Sequence, residues 1–184
     1  MLPAILECRA CVLRPWRADD LPALLRHADD RDVARNLRDR FPHPYTAADG
    51  EGWLAHVAGD PPREGAWAVD VGGEAVGGIA LHRGDDVARL SAEIGYWLGR
   101  AHWGRGVMTE VVGRVTDAAL AEPDLVRLHA PVFAWNAASM RVLERNGYVR
   151  EGVMRRAGVK DGVVMDQVLY ARTRESPHPY VAAP

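Results

Sequence analysis

The sequence predicts an α/β (α+β) domain built on a central mixed, mostly antiparallel twisted sheet of about seven strands flanked by helices. Three observations predict it. A meander of three strands punctuated by glycine turns fills Ala66 to Leu98. Apolar residues then switch to helical spacing from Gly106. Two more strands close the chain after a second helical stretch over Ala137 to Asn146.

Taken in order, the first strand is expected around Arg9 to Arg14. It gives way to Pro15-Trp16-Arg17-Ala18-Asp19-Asp20, where an aspartate before Leu21, Leu24 and Leu25 reads as a helix cap. Another helical signal runs from Val33 to Leu37. Phe41-Pro42-His43-Pro44-Tyr45 must then be extended, because proline restricts itself and its predecessor. Thr46 is placed to cap the next helix, with Trp53, Leu54 and Val57 on one face. Gly72-Gly73 joins two strands, 66–71 and 75–81, as a two-residue hairpin turn, and Gly84-Asp85-Asp86 leads to a third strand over 91–98.

The helix that starts at Gly106 carries Val107, Met108, Val111, Val112, Val115 and Ala119 on one face and stops before Pro123. Leu125 to Phe133 reads as a buried strand. Ala137 to Asn146 reads as a helix with Gly147 as its left-handed C-terminal cap. The last strands, near 148–154 and 163–171, flank an Asp161-Gly162 turn. The 184 residues fit one domain over 1–174, with a loose proline-containing tail over 175–184.

Composition narrows the function classes. A net charge of -2 provides no broad basic surface, which argues against nucleic acid as the main partner. The N-terminus lacks a secretory pattern, and no apolar run approaches the ~18 residues of a membrane span, so a cytoplasmic protein with no membrane partner is expected. Cys8 and Cys11 stand without a second ligand pair, and a strand rather than a helix follows them, so a structural role is expected and no metal.

The motif that bears on chemistry is Trp103-Gly104-Arg105-Gly106-Val107-Met108. A strand, a glycine turn and a helix N-terminus together aim unpaired backbone N–H groups and the helix dipole at one point, which suits a phosphate. Alone, such a turn equally serves the chain path. It is neither a P-loop, since no Gly-Lys-Ser/Thr follows, nor a Rossmann fingerprint, since Thr109 occupies the third glycine position.

Glu93-Ile94-Gly95-Tyr96-Trp97-Leu98, the glycine turn through Glu110, and Leu128 through Tyr148 occur in one order that strongly resembles the GNAT superfamily of N-acetyltransferases. Within it the resemblance is to the branch that acetylates the N-termini of ribosomal proteins (RimJ/RimL-like). It covers about Val12 to Thr173 and includes Phe41-Pro42-His43-Pro44-Tyr45-Thr46 and Val159-Lys160-Asp161-Gly162. It implies a sheet splayed at an acyl-CoA cleft, acetyl-CoA as co-substrate, and an amine acceptor, either a peptide N-terminus or a small molecule. Gly104, Arg105, Gly106, Val107, Met108 and Thr109 would receive the pyrophosphate. Trp103 and Met108 depart from the family's polar and small residues, which backbone donation tolerates. Tyr96, Trp97 and Leu98 would offer backbone groups to the pantetheine and thioester. Asn136 would meet the pantetheine arm, although it equally suits a helix cap.

Acyl transfer to an amine needs a neutral amine, support for the developing oxyanion and a proton for the leaving thiolate. Many relatives supply that proton from a tyrosine seven residues after the asparagine, where this chain has Leu143. Ser139 resembles the serine proposed for the ribosomal branch, against the alternative of an ordinary serine at a helix start. The glutamate some relatives use as base aligns with Pro131, which leaves Glu93 as candidate base through water. Strand alternation groups Glu93 with Gly95 and Trp97, unless a bulge intervenes, and an ion-paired glutamate is the competing reading. His82 and His129 are fallbacks, and Glu110 suits the helix dipole. Trp16, Phe41 and Tyr45 would line the acceptor side, or an ordinary core. The missing tyrosine keeps a noncatalytic acyl-CoA-binding or sensing module as an alternative. Acyl transfer to charged tRNA is a weaker one, and no sequence feature fixes a homodimer.

Overall fold

In the computed structural model, which describes residues 2–58 and 65–174, eight strands form one sheet. They are β1 (Leu6–Glu7), β2 (Val12–Arg14), β3 (Ala66–Val71), β4 (Glu74–Arg83), β5 (Ser91–Leu98), β6 (Arg127–Phe133), β7 (Val149–Lys160) and β8 (Val163–Thr173). The order across the sheet is β1-β2-β3-β4-β5-β6-β8-β7, antiparallel at every pair except β5 and β6. The eighth strand, absent from the sequence reading, arises where the Cys8 N–H donates to the Cys11 carbonyl at 3.0 Å and folds Leu6–Glu7 back on Val12–Leu13. Two residues are too few for a periodicity to register. The expected tail over 175–184 lies outside the described residues.

Five helices pack on the sheet: α1 (Leu21–Ala28), α2 (Arg31–Ala34), α3 (Ala47–Val57), α4 (Val107–Ala121) and α5 (Ala137–Arg145). Thr46 caps α3 as expected, in a reciprocal box with Asp49. The aspartate expected to cap α1 does otherwise. Asp20 has helical backbone, and its carboxylate accepts from Arg14 at 2.7 and 2.8 Å and from the Arg17 N–H at 2.8 Å. Arg14 also donates to Asp70 at 2.6 Å, so a buried cation is held by two carboxylates rather than left to bear its desolvation cost. The helix read at Val33 to Leu37 is the single turn of α2, capped by Asp30.

Each face of the sheet has its own core. On one, Leu13, Val69, Ile79, Ile94 and Leu98 meet Val111, Val112 and Val115 of α4 and Leu143 of α5. On the other, Ala68 and Ala75 meet Trp16, Leu24 and Ala28 beside Tyr45, Leu54 and Val57. Small residues at Ala68, Ala75 and Gly78 make room there for the aromatic rings of the second layer. Among the described residues no helix is long and apolar enough to cross a membrane.

Candidate functional site

The parallel pairing of β5 and β6 lasts three residues, Ser91 to Glu93 against Arg127 to His129. Beyond it β5 continues only with β4 and β6 only with β8, so the two strands part between Ile94–Leu98 and Ala130–Phe133. This gap opens into a cavity of about 810 Å³ that reaches from the first turn of α4 to α3. The β4/β5 register runs without a shift from Gly77↔Leu98 to Arg83↔Ala92. With no bulge there, Glu93, Gly95 and Trp97 share the face toward α1 and α3, and Tyr96 takes the face toward α4 and α5.

At the α4 end, Gly104 (φ +73°) and Gly106 (φ +79°) hold the left-handed conformation that glycine adopts without strain. A Cβ at either would meet nothing within 4 Å, so the backbone there faces open space. Gly106 at the N-cap brings no side chain to cap α4, whose first amides have no intrahelical partners. Gly104, Gly106, Val107, Met108 and Thr109 line the cavity, whereas Arg105 points outside that lining. The surface suits a pyrophosphate in shape and partial charge. Trp103 stands beside it and donates through Nε1 to the Leu98 carbonyl at 2.7 Å, which occupies one of that oxygen's two lone pairs. His102 also lines the cavity, and burial, then the neighbouring His27 and Arg105, holds its imidazole below the ordinary value. Asn146 ties α4 to α5 by donating to both the Thr109 and Val142 carbonyls.

At the centre, Asn136 caps α5 by accepting from the Ser139 N–H at 3.1 Å. The Ser139 hydroxyl lies 2.8 Å from the Tyr96 hydroxyl, and all three residues line the cavity. Tyr96 is partly buried, and that burial pushes its phenol far above its ordinary value and keeps it neutral. Leu143 is fully buried in the core, so this helix position contributes packing. Glu93 lines the cavity and is ion-paired: Arg38 Nη2 donates to both of its carboxylate oxygens at 2.6 and 2.7 Å. His82 lines the cavity as well, whereas His129 lies outside it with Nδ1 3.3 Å from Ser91 Oγ. Burial holds the His129 imidazole below its ordinary value. Glu110 accepts from the Arg9 N–H at 2.7 Å.

At the α3 end, Phe41, Tyr45, Trp53 and Trp97 form an aromatic wall. Phe41 lies 5.3 Å from Trp97 and 5.1 Å from Tyr45, centroid to centroid. Burial pushes the Tyr45 phenol up to about 12, so it too stays neutral. Trp16 is outside the lining: it packs behind, edge-on to Trp53 at 6.1 Å. A Cβ on Gly78 would come within 2.9 Å of both Trp16 Cζ2 and Trp97 Nε1, so this glycine seats both rings. Arg38, Trp53 and Gly78 join the site without being expected there. Trp53 carried a signal, as an aromatic on the inward face of α3, but that face reads as core; Arg38 carried none.

The cysteines form no part of the cavity. Both are free thiols, and burial pushes Cys11 up to about 12 and Cys8 upward. Their thiols therefore stay protonated and unreactive near neutrality.

A family profile described as acetyltransferase (GNAT) domain matches residues 11–149. YjcK of Bacillus subtilis (strain 168), named a probable N-acetyltransferase, is 41% identical over 96 residues, 52% of this chain and 53% of its own. The ribosomal-protein-serine acetyltransferase of Escherichia coli (strain K12) is 30% identical over 103 residues, 56% of this chain and 57% of its own. The chain thus spans about half the length of the curated relatives it matches. Among solved structures, Mycobacterium smegmatis RimJ in complex with CoA-disulfide superposes with a TM-score of 0.76 at 25% identity, covering 90% of this chain and 82% of that one. RimL in complex with coenzyme A does so with a TM-score of 0.80 at 21% identity over 94% and 97%, a likeness of fold.

Proposed function

Because the chain belongs to the GNAT acetyltransferase family, we propose that it transfers an acetyl group from acetyl-CoA directly to a primary amine, on a protein N-terminus or a small molecule. The gap between β5 and β6 is the observation that supports this reading best. Into it open an uncapped helix N-terminus on one side and a carboxylate with an aromatic wall on the other. A phosphate-bearing donor and an apolar amine are thus each offered matching chemistry on opposite faces of one strand.

Acetyl-CoA would supply an acyl group activated as a thioester. The Gly104–Thr109 backbone holds its pyrophosphate, and Asn136 stands at the start of α5 along the arm. Glu93 accepts the proton of the incoming ammonium through water. The neutral nitrogen then forms the C–N bond as the C–S bond breaks. Backbone N–H groups at the end of β5 support the carbonyl oxygen. Ser139 relays to the leaving thiolate the second proton, which the nitrogen gives up as the amide forms, and the Tyr96 hydroxyl at 2.8 Å orients that relay.

Incubating the protein with acetyl-CoA and a panel of peptides, amino compounds and polyamines, while following free thiol, tests the reading. Acceptor-dependent thiol release is expected. Tight CoA binding by calorimetry with no turnover on any amine would refute it and leave a noncatalytic acyl-CoA-binding module, the alternative that Leu143 motivates.

A further inference from the structure

Arg38 and Glu93 face each other at the acceptor end of the cavity, where they join the segment between α2 and α3 to β5. The contact uses Arg38 Nη2 alone. Among the described residues Glu93 is the only hydrogen-bonding partner of the Arg38 side chain, so the Nε and Nη1 N–H groups of the guanidinium have none. The Arg38 side chain is 50% exposed and that of Glu93 23%, so both remain open to the cavity. A guanidinium presents five N–H groups in a flat fork, and a carboxylate can occupy one edge while another edge is engaged.

This arrangement selects by charge. An acceptor that is only a cation would reach Glu93 beside Arg38 and Arg40, which line the same end with Asp49, and repulsion from the two guanidinium groups offsets its attraction to the carboxylates. An acceptor with a carboxylate next to its ammonium instead completes an alternating row. Its carboxylate meets the open edge of Arg38, Arg38 meets Glu93, and Glu93 meets the ammonium. The body of the molecule then lies on Phe41, Tyr45, Trp53 and Trp97, which offer flat apolar surface and few polar groups.

We infer that the acceptor is a zwitterion of the free amino-acid type, with a carboxylate beside the reacting amine and an apolar side chain of aromatic size, and that Arg38 selects it. The inference rests on the acetyl-transfer reading above and deepens it. Bonds formed and broken in the transfer are unchanged: the ammonium proton goes to Glu93, and the carboxylate stays intact as a handle.

The test compares three acceptors of one body, phenylalanine, phenylalaninamide and phenethylamine, together with a serine-led peptide, by thiol release at equal acetyl-CoA. Phenylalanine is expected to exceed its amide and phenethylamine by about 10–100-fold in kcat/KM, the range for one charged hydrogen-bonding contact. In Arg38→Gln the ratio of acid to amide is expected to collapse toward one, and in Arg38→Lys, which keeps the charge and loses the fork, to fall between. Thermal unfolding and CoA calorimetry on each variant establish that fold and donor site are intact. Equal use of acid and amide by the parent protein, a peptide preferred over phenylalanine, or an acid preference that survives in Arg38→Gln would each overturn the inference alone. Absence of turnover on every amine, beside tight CoA binding, overturns the transfer reading and this inference with it.

Discussion

Replacing Gly78 by alanine separates the two ends of the cavity by experiment. Gly78 lies in β4 opposite Trp97 of β5, and its backbone places an added methyl 2.9 Å from both Trp97 Nε1 and Trp16 Cζ2. Comfortable carbon contacts begin near 3.5 Å, so each ring must retreat by roughly 0.6 Å. Both rings are rigid, and Trp16 is already pressed edge-on to Trp53, so the strain has no flexible chain end to absorb it. Overpacking of this kind costs about 1–3 kcal/mol. For a chain of this length that lowers Tm by about 2–12 °C. Trp97 forms part of the aromatic wall, whereas Gly104 to Thr109 lie at the far end, across the gap. Calorimetry should therefore find the CoA Kd of Gly78→Ala within about twofold of the parent, while KM for the best amine rises severalfold. A CoA affinity that fell as far as the acceptor's, or an unchanged Tm together with unchanged KM, would refute the assignment of separate compartments.

Three further outcomes are expected. Ser139→Ala should lower kcat by about 10–100-fold with little change in CoA Kd, and Tyr96→Phe by less, since it removes only the partner of the donating hydroxyl; stopped-flow thiol release checks both. Asp20→Ala leaves Arg14, 4% exposed, with Asp70 as its one remaining carboxylate, and urea unfolding should show a loss of about 3 kcal/mol. Burial depresses the native His129 pKa below 6.5, so the stabilisation it reflects is complete above pH 6.5 and is lost as pH falls through the native value. Stability measured against pH should decline over that window in the parent and decline less in His129→Gln.

The legible parts of this molecule are those set by nearby residues. Gly104 and Gly106 announce their turn because only glycine takes those backbone angles cheaply, and the helix that follows shows its apolar spacing in the chain itself. Asn136 and Thr46 announce helix starts for the same reason. Contacts between distant residues left no local trace. Asp20 looks like a cap until Asp70, fifty residues on, completes the ring around Arg14. Arg38 and Glu93 are 55 residues apart, and neither flanking sequence hints at the other. Strand alternation put Tyr96 opposite Glu93 in the sequence, but its meeting with Ser139 depends on where α5 returns to the sheet. Trp16 and Trp53 exchange roles for a related cause: both are aromatic positions near the acceptor side, and tertiary packing alone decides which ring faces the cavity.

The parting of β5 from β6 bears on the order of events in turnover. A donor seated at α4 and an acceptor seated against Phe41 and Trp97 would approach from opposite faces of the sheet, and neither would bar the other's door. Both can then be bound at once, with the reacting atoms meeting in the opening between the strands. A protein so arranged has no need to carry the acetyl group on one of its own side chains, and initial-rate plots for its two substrates would intersect rather than run parallel.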